Sequence, residues 1–182
     1  MSFNPDIHHR RSVRLRSWDC SSPGVYYITI CTHKRECFFG GVITGEMRLN
    51  QFGDAADACW RAITDHTQCI ELDEWVVMPN HIHGLIVILD TSVGARHAAP
   101  LRQSQEVFCK SKPDSLSPVV RSFKSAVTRQ INTLRNTSGA PVWQRSFYDH
   151  IVRKQSDLDQ IRLYIPENPM QWHMDSENPD NW

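Results

Sequence analysis

The chain has 182 residues, of which 40% are apolar and 22% charged, with 20 lysines and arginines balanced by 20 aspartates and glutamates. These values suit one packed domain and exclude collagen-like or wholly disordered chains, while the zero balance means that the total charge names no partner. Six cysteines without a C-x-x-C pair, an arginine-rich beginning without an apolar segment and no run of membrane-spanning length lead to an expectation of a cytoplasmic protein with reduced thiols and no membrane partner.

Residues 1–20 read as a basic arm, because Arg10, Arg11, Arg14 and Arg16 occur with no acid between residues 10 and 16. Such a segment suits a phosphate backbone, or a solvated terminus. Ser21-Ser22-Pro23-Gly24 is a turn signal ahead of the β-branched and aromatic run 25–32, the first expected strand. Short apolar segments either side of Gly45-Glu46 read as a hairpin. Residues 54–66 read as a helix whose apolar face is Ala55, Ala58, Cys59, Ala62 and Ile63. Between 74 and 90 lie two apolar runs broken by Pro79-Asn80, expected at the centre of the sheet as two strands or one kinked strand. Residues 91–118 lack periodicity and read as an inserted loop.

A second helix is expected from Pro118, with Val119, Val120, Phe123, Val127, Ile131 and Leu134 at helical intervals. Arg121, Lys124, Arg129 and Arg135 fall between those positions with no acid from 119 to 136, which makes a second basic surface. Ser156 is expected to cap a final helix that carries Asp157 and Asp159 in its first turn and then Ile161, Tyr164 and Ile165. Pro166 should bend this helix, and Asn168-Pro169 should end it.

Chemistry concentrates in Met78-Pro79-Asn80-His81-Ile82-His83-Gly84. Residues two apart on a strand share a face with Cα atoms about 6.5 Å apart, so two imidazoles can close on one cation while Ile82 points to the core. The alternative is a pair of ordinary strand histidines. Gly84 is expected to leave room beside the pair. Tyr164 and Asn168 are four apart on the last helix, so a cation held by Asn168 would lie near the Tyr164 phenol. Glu167 is a competing oxygen ligand. Tyr164 is therefore a candidate nucleophile as well as a candidate core aromatic, and Tyr148, next to Asp149 and close to His150, is its rival.

Taken in order, these pieces resemble the single-tyrosine HUH transposases of small insertion sequences, and in particular their REP-associated relatives. The resemblance rests on the first strand Val25-Tyr26-Tyr27-Ile28-Thr29-Ile30-Cys31-Thr32 and on Trp75-Val76-Val77-Met78-Pro79-Asn80-His81-Ile82-His83-Gly84. It continues through Arg121-Ser122-Phe123-Lys124, Trp143-Gln144-Arg145, Tyr148-Asp149-His150-Ile151 and Tyr164-Ile165 with Asn168-Pro169. It spans residues 10–175. The resemblance implies an α+β fold, an antiparallel sheet with helices packed on it in a ferredoxin-like, RNA-recognition-like arrangement. It implies His81 and His83 as ligands of Mg²⁺ or Mn²⁺, Tyr164 as nucleophile, and Asn168, where many members carry glutamine, as third ligand. The expected activity is nicking and rejoining of single-stranded or hairpin DNA through a 5′-phosphotyrosine link, by a monomer or a homodimer. Arg10, Arg11, Arg14, Arg16, Arg121, Lys124, Arg129 and Arg145 would contact the DNA.

Two other readings compete. A binder that kept the fold and lost the chemistry would need the basic segments alone. A histidine-triad phosphoesterase would want a third histidine at position 85, where the chain has Leu85.

Overall fold

A computed structural model of the chain describes residues 22–67, 69–90 and 115–181. The arginine arm and residues 91–114 of the expected loop lie outside them. In chain order the elements are strand β1 (Gly24–Cys31), strands β2 (Gly40–Ile43) and β3 (Glu46–Leu49), helices α1 (Gln51–Arg61) and α2 (Ile63–His66) and strands β4 (Ile70–Val77) and β5 (His81–Ile88). Helix α3 (Leu116–Leu134), strand β6 (Tyr148–Val152) and helix α4 (Gln155–Glu167) follow. A 3₁₀ segment, Asn168–Met174, continues from α4. Four strands form an antiparallel sheet in the order β4-β5-β1-β6, and β2-β3 is a separate hairpin. The fold is α+β, an antiparallel sheet with helices packed on it.

Strand alternation divides the sheet into two unlike faces. On one face, Tyr26, Ile28 and Ile30 of β1 and Ile82 and Ile86 of β5 pack against Ala56, Trp60 and Ile63 and against Val120, Phe123, Val127 and Ile131 of α3. Gly84 belongs to this face. A Cβ there would lie 2.3 Å from the Trp60 ring, so the glycine makes room for tryptophan and not for the histidines. On the other face, Leu85 and Val152 meet Ile165 of α4, with Val25, Tyr27, Leu158 and Ile161 around them.

Local chemistry explains where the elements begin. Asn50 caps α1 by accepting hydrogen bonds from the Phe52 and Gly53 amides, so the helix starts three residues before the expected position. The buried residues of α1 are Gly53, Ala56, Cys59 and Trp60, with Ile63 following in α2, while Ala58 faces solvent. Thr44 and Gly45, both at positive φ (52° and 80°), make the β2-β3 turn, one residue earlier than the sequence suggested. Strand β4 starts at Ile70 and contains a bulge between Leu72 and Trp75. Asp73 in that bulge binds Arg162 of α4 at 2.6 Å, tying the Tyr164 helix to the sheet edge. Helix α4 begins at Gln155, with Lys154 and not Ser156 in the capping position. Pro166 sits inside its last turn without stopping the chain from continuing helically through Asn168 (φ −55°, ψ −39°). Among the described residues no helix is long and apolar enough to cross a membrane.

Candidate active site

The α4-covered face holds His81, His83 and Tyr148, while Asp149 lies opposite Ile28 on the other face. The register pairs His81 with Cys31, His83 with Thr29, and Leu85 with Tyr27. It also pairs Thr29 with Tyr148. Side chains opposite one another across a sheet share a face, so His83, Thr29 and Tyr148 form one row. His81 and His83 are 0% and 5% exposed, and their ring centroids are 4.4 Å apart.

Each histidine has one ring nitrogen engaged and the other bare. Asn80 spends its amide nitrogen on the carbonyl oxygens of Arg35 (3.1 Å) and Glu177 (2.7 Å), both acceptors only. Its Oδ1 therefore faces His81 Nδ1 at 2.9 Å, and that nitrogen must carry the proton it donates. His81 Nε2 is left as a lone pair. His83 Nδ1 lies 2.8 Å from the Tyr27 hydroxyl and 2.9 Å from the Thr29 hydroxyl. The Nε2 atoms of both histidines are buried without a hydrogen-bond partner. Burial, with Arg35 close by, pushes the His81 pKa down to about 3, and burial beside His81 holds His83 well below its ordinary value. A neutral imidazole with a bare lone pair, as at His81 Nε2, is the form in which histidine binds metals, and His83 takes the same form when its Nδ1 donates to one of the two hydroxyls.

A carboxylate meets them. Asp175 Oδ2 lies 3.7 Å from His81 Nε2, and one ligand atom each from His81, His83 and Asp175 can be found within 4.8 Å of one another. That oxygen is also buried and unpartnered. Asp175 follows the 3₁₀ segment and is held there by its surroundings. The Glu177 amide donates to its Oδ1, and the Glu177 carboxylate pairs with Arg35 at 2.5 Å. Asn168, the oxygen ligand expected from the sequence, is 1% exposed with an unpartnered Oδ1.

Tyr164 is 38% exposed, with its ring centroid 5.5 Å from that of His83. Burial and the Asp175 charge raise its pKa, and the Asn168 side chain pulls the other way. A cleft of about 500 Å³ opens between His83, Tyr164, Asp175, Arg35 and Tyr148. Both tyrosines that compete as nucleophile border it.

The basic residues divide. Arg121, Arg129 and Arg145 are exposed. Lys124 is half-buried and its ammonium donates to the main-chain oxygens of Gln144 (2.8 Å) and Ser146 (2.9 Å), so it staples the segment bordering the cleft onto α3. Burial lowers its pKa to about 8. Arg10, Arg11, Arg14 and Arg16 lie outside the described residues. Sequence reasoning missed Asp175, Asn80, Tyr27 and Thr29. The last three could have been found, since Asn80 adjoins the histidine pair and Tyr27 and Thr29 alternate on the first strand.

No protein-family model matches the chain. An uncharacterized protein of Haemophilus influenzae is 37% identical over 173 residues, which cover 95% of each chain. Among solved structures, a REP-associated tyrosine transposase bound to a REP hairpin is similar in fold, with a TM-score of 0.58 and 16% identity over 88% of this chain and 74% of that one.

Proposed function

We propose that this chain, which belongs to one family with the Haemophilus influenzae protein and has the fold of a REP-associated tyrosine transposase, is a metal-dependent transposase-like enzyme that nicks and rejoins single-stranded or hairpin DNA. The observation that carries this reading is a set of buried polar atoms without partners next to a half-exposed phenol: two imidazole nitrogens, a carboxylate oxygen and an amide oxygen. Orphaned buried polar atoms cost about 1–3 kcal/mol each, so four together are explained by a ligand that satisfies them.

The residues fit a divalent cation. His81, His83 and Asp175 would hold it, with Asn168 as a further oxygen on the Tyr164 side. Imidazole nitrogens combined with hard oxygens suit Mn²⁺ or Mg²⁺. When bound, such an ion polarises a non-bridging oxygen of the scissile phosphate and offsets the charge that develops in the transition state.

The chain's own groups supply the rest. Tyr164 Oη forms a bond to phosphorus, the bond from phosphorus to the 3′ oxygen breaks, and the phenol proton ends on the released 3′-hydroxyl. The Asn168 side chain favours the phenolate, against burial and the Asp175 charge. A phosphodiester has been exchanged for a phosphotyrosine ester, so a 3′-hydroxyl can later reverse the step without another energy source. Asn80 keeps His81 in the ligating tautomer, and the Asp73–Arg162 pair holds the nucleophile's helix against the sheet. Arg121, Arg129 and Arg145, with the arm at 10–16, would contact phosphates.

The test uses end-labelled hairpin oligonucleotides from the gene's own flanks. The parent protein should cleave them and become attached in Mn²⁺ or Mg²⁺ and stop in EDTA. His81→Ala and His83→Ala should lose cleavage and keep most DNA affinity, because phosphate contacts do not depend on the cation. Equal cleavage by parent and variants would overturn the proposed metal site.

A further inference from the structure

Tyr148 is unused by that chemistry, although it borders the same cleft as His83 and Tyr164. It begins β6, an edge strand, and 48% of it is exposed. The ring is nevertheless held in place. It packs edge-on against Tyr27, with centroids 6.4 Å apart and planes at 70°, and Tyr27 stacks on His83 at 5.5 Å and 24°. Three rings thus run in a fixed chain from the histidine pair to the rim.

The segment beneath is anchored as well. The residue before it, Phe147, packs on the core and lies 5.9 Å from the Lys124 ammonium, which also binds the Ser146 and Gln144 carbonyls. Tyr148 stands opposite Thr29, and Thr29 opposite His83, so two strand spacings, about 10 Å, separate Tyr148 from His83 along the row. Tyr148 is therefore set beside the histidine pair and not against it.

An aromatic ring left half in water, yet fixed in orientation and set at the rim of a cleft, is what a stacking base requires. Every base presents a π-face, and rings of this kind bind single strands with little sequence preference. We infer that Tyr148 is a nucleobase platform, on which the base adjoining the scissile phosphate stacks, and not a second nucleophile. The inference rests on the strand-nicking reading for the identity of the ligand, a single DNA strand.

Binding is measured in the Tyr164→Phe background by fluorescence anisotropy, so that no bond is broken. Single-stranded oligonucleotides with an abasic site moved one position at a time are compared on the parent background and on Tyr148→Leu and Tyr148→Trp. Tyr148→Leu should weaken binding to the intact strand roughly 5- to 150-fold, and Tyr148→Trp should retain it. At one abasic position the parent and Tyr148→Leu should bind alike, because the base that stacks is missing. If Tyr148→Leu binds the intact strand as the parent does, or loses the same factor at every abasic position, the platform is wrong. A DNA-linked peptide containing Tyr148 from the wild-type protein would overturn it too. Failure of the nicking reading shows separately, as the absence of any cation-dependent adduct in wild type, and leaves the binding result readable.

Discussion

The two faces of the central sheet differ in what their residues are for. The α1/α3 face is mostly apolar and closely packed, down to a glycine whose missing side chain is filled by Trp60. On the α4 face, two imidazole nitrogens one residue away along β5, with a carboxylate oxygen and an amide oxygen from the 3₁₀ segment and its end, are buried with bonding capacity unused. Because side chains alternate, a strand can be a stability element and a reactive element at once, and β5 is both. Substitutions on the first face should cost stability, and those on the second should cost ligand affinity.

The largest effect is expected on the packed face. Trp60→Ala should lower unfolding free energy by about 3–5 kcal/mol, read from denaturant titrations. A loss below about 1 kcal/mol would mean that this face is looser than it looks.

On the reactive face a smaller loss is expected. In EDTA, the His81→Leu/His83→Leu double variant removes two orphaned nitrogens but also strands Asn80 Oδ1, so it should lose less stability than Trp60→Ala. Saturating Mn²⁺ should stabilise the parent by about 2.7 kcal/mol at a hundred times its Kd and leave the variant unmoved. Acid should separate the two as well. Both folded histidine pKa values lie below those of the unfolded chain, so the unfolded state takes up more protons below pH 6.5. Parent stability in EDTA should therefore be full above about pH 6.5 and fall from there towards pH 3, by up to about 1.4 kcal/mol per pH unit for each histidine. The double variant should show a shallower slope in the same titration.

Smaller losses are expected from the groups that orient the histidines. Asn80→Ala and Tyr27→Phe should each weaken Mn²⁺ binding about 10- to 100-fold by calorimetry, and unchanged affinity would leave those hydrogen bonds without a role in the site. Smallest is the surface term. Arg129→Ala should reduce the slope of log affinity against log salt for single-stranded DNA by about 0.7, as one phosphate contact is lost. Lys124→Ala should instead disturb the segment at Gln144–Ser146, because its ammonium is spent on main-chain carbonyls.

How much of this could be read in the sequence follows from the range of each interaction. The histidine pair, Tyr164 with Asn168, and the buried line of α3 from Val119 to Ile131 are set by periods of two or of three to four residues, and these are visible locally. On α1 the expected Cys59 is buried, as is Ile63 just beyond it, but Ala56 and not Ala58 lies inward, because alanines are too small to reveal which way a helix turns. Its large residue, Trp60, finds its place through Gly84 on another strand. The role of Lys124 was hidden because a lysine on a basic helix looks the same whether it faces water or a carbonyl. Asp175 was illegible for a plainer reason. It lies 92 residues after His83 in a polar segment with no periodicity, and long-range contacts such as Arg35–Glu177, Asn80–Glu177 and Trp172 against His81 bring that segment over the histidines.

The most direct test of the nucleophile at this site is the identity of the residue that becomes joined to DNA. Wild-type protein is incubated with a hairpin oligonucleotide and Mn²⁺, digested, and analysed by mass spectrometry, with Tyr164→Phe and Tyr148→Phe run in parallel. The expected result is a nucleotide-linked peptide containing Tyr164, formed by wild type and Tyr148→Phe and absent from Tyr164→Phe, which should remain folded and still bind DNA. Covalent attachment of the Tyr164→Phe protein, or a linked peptide that contains Tyr148 instead, would contradict it.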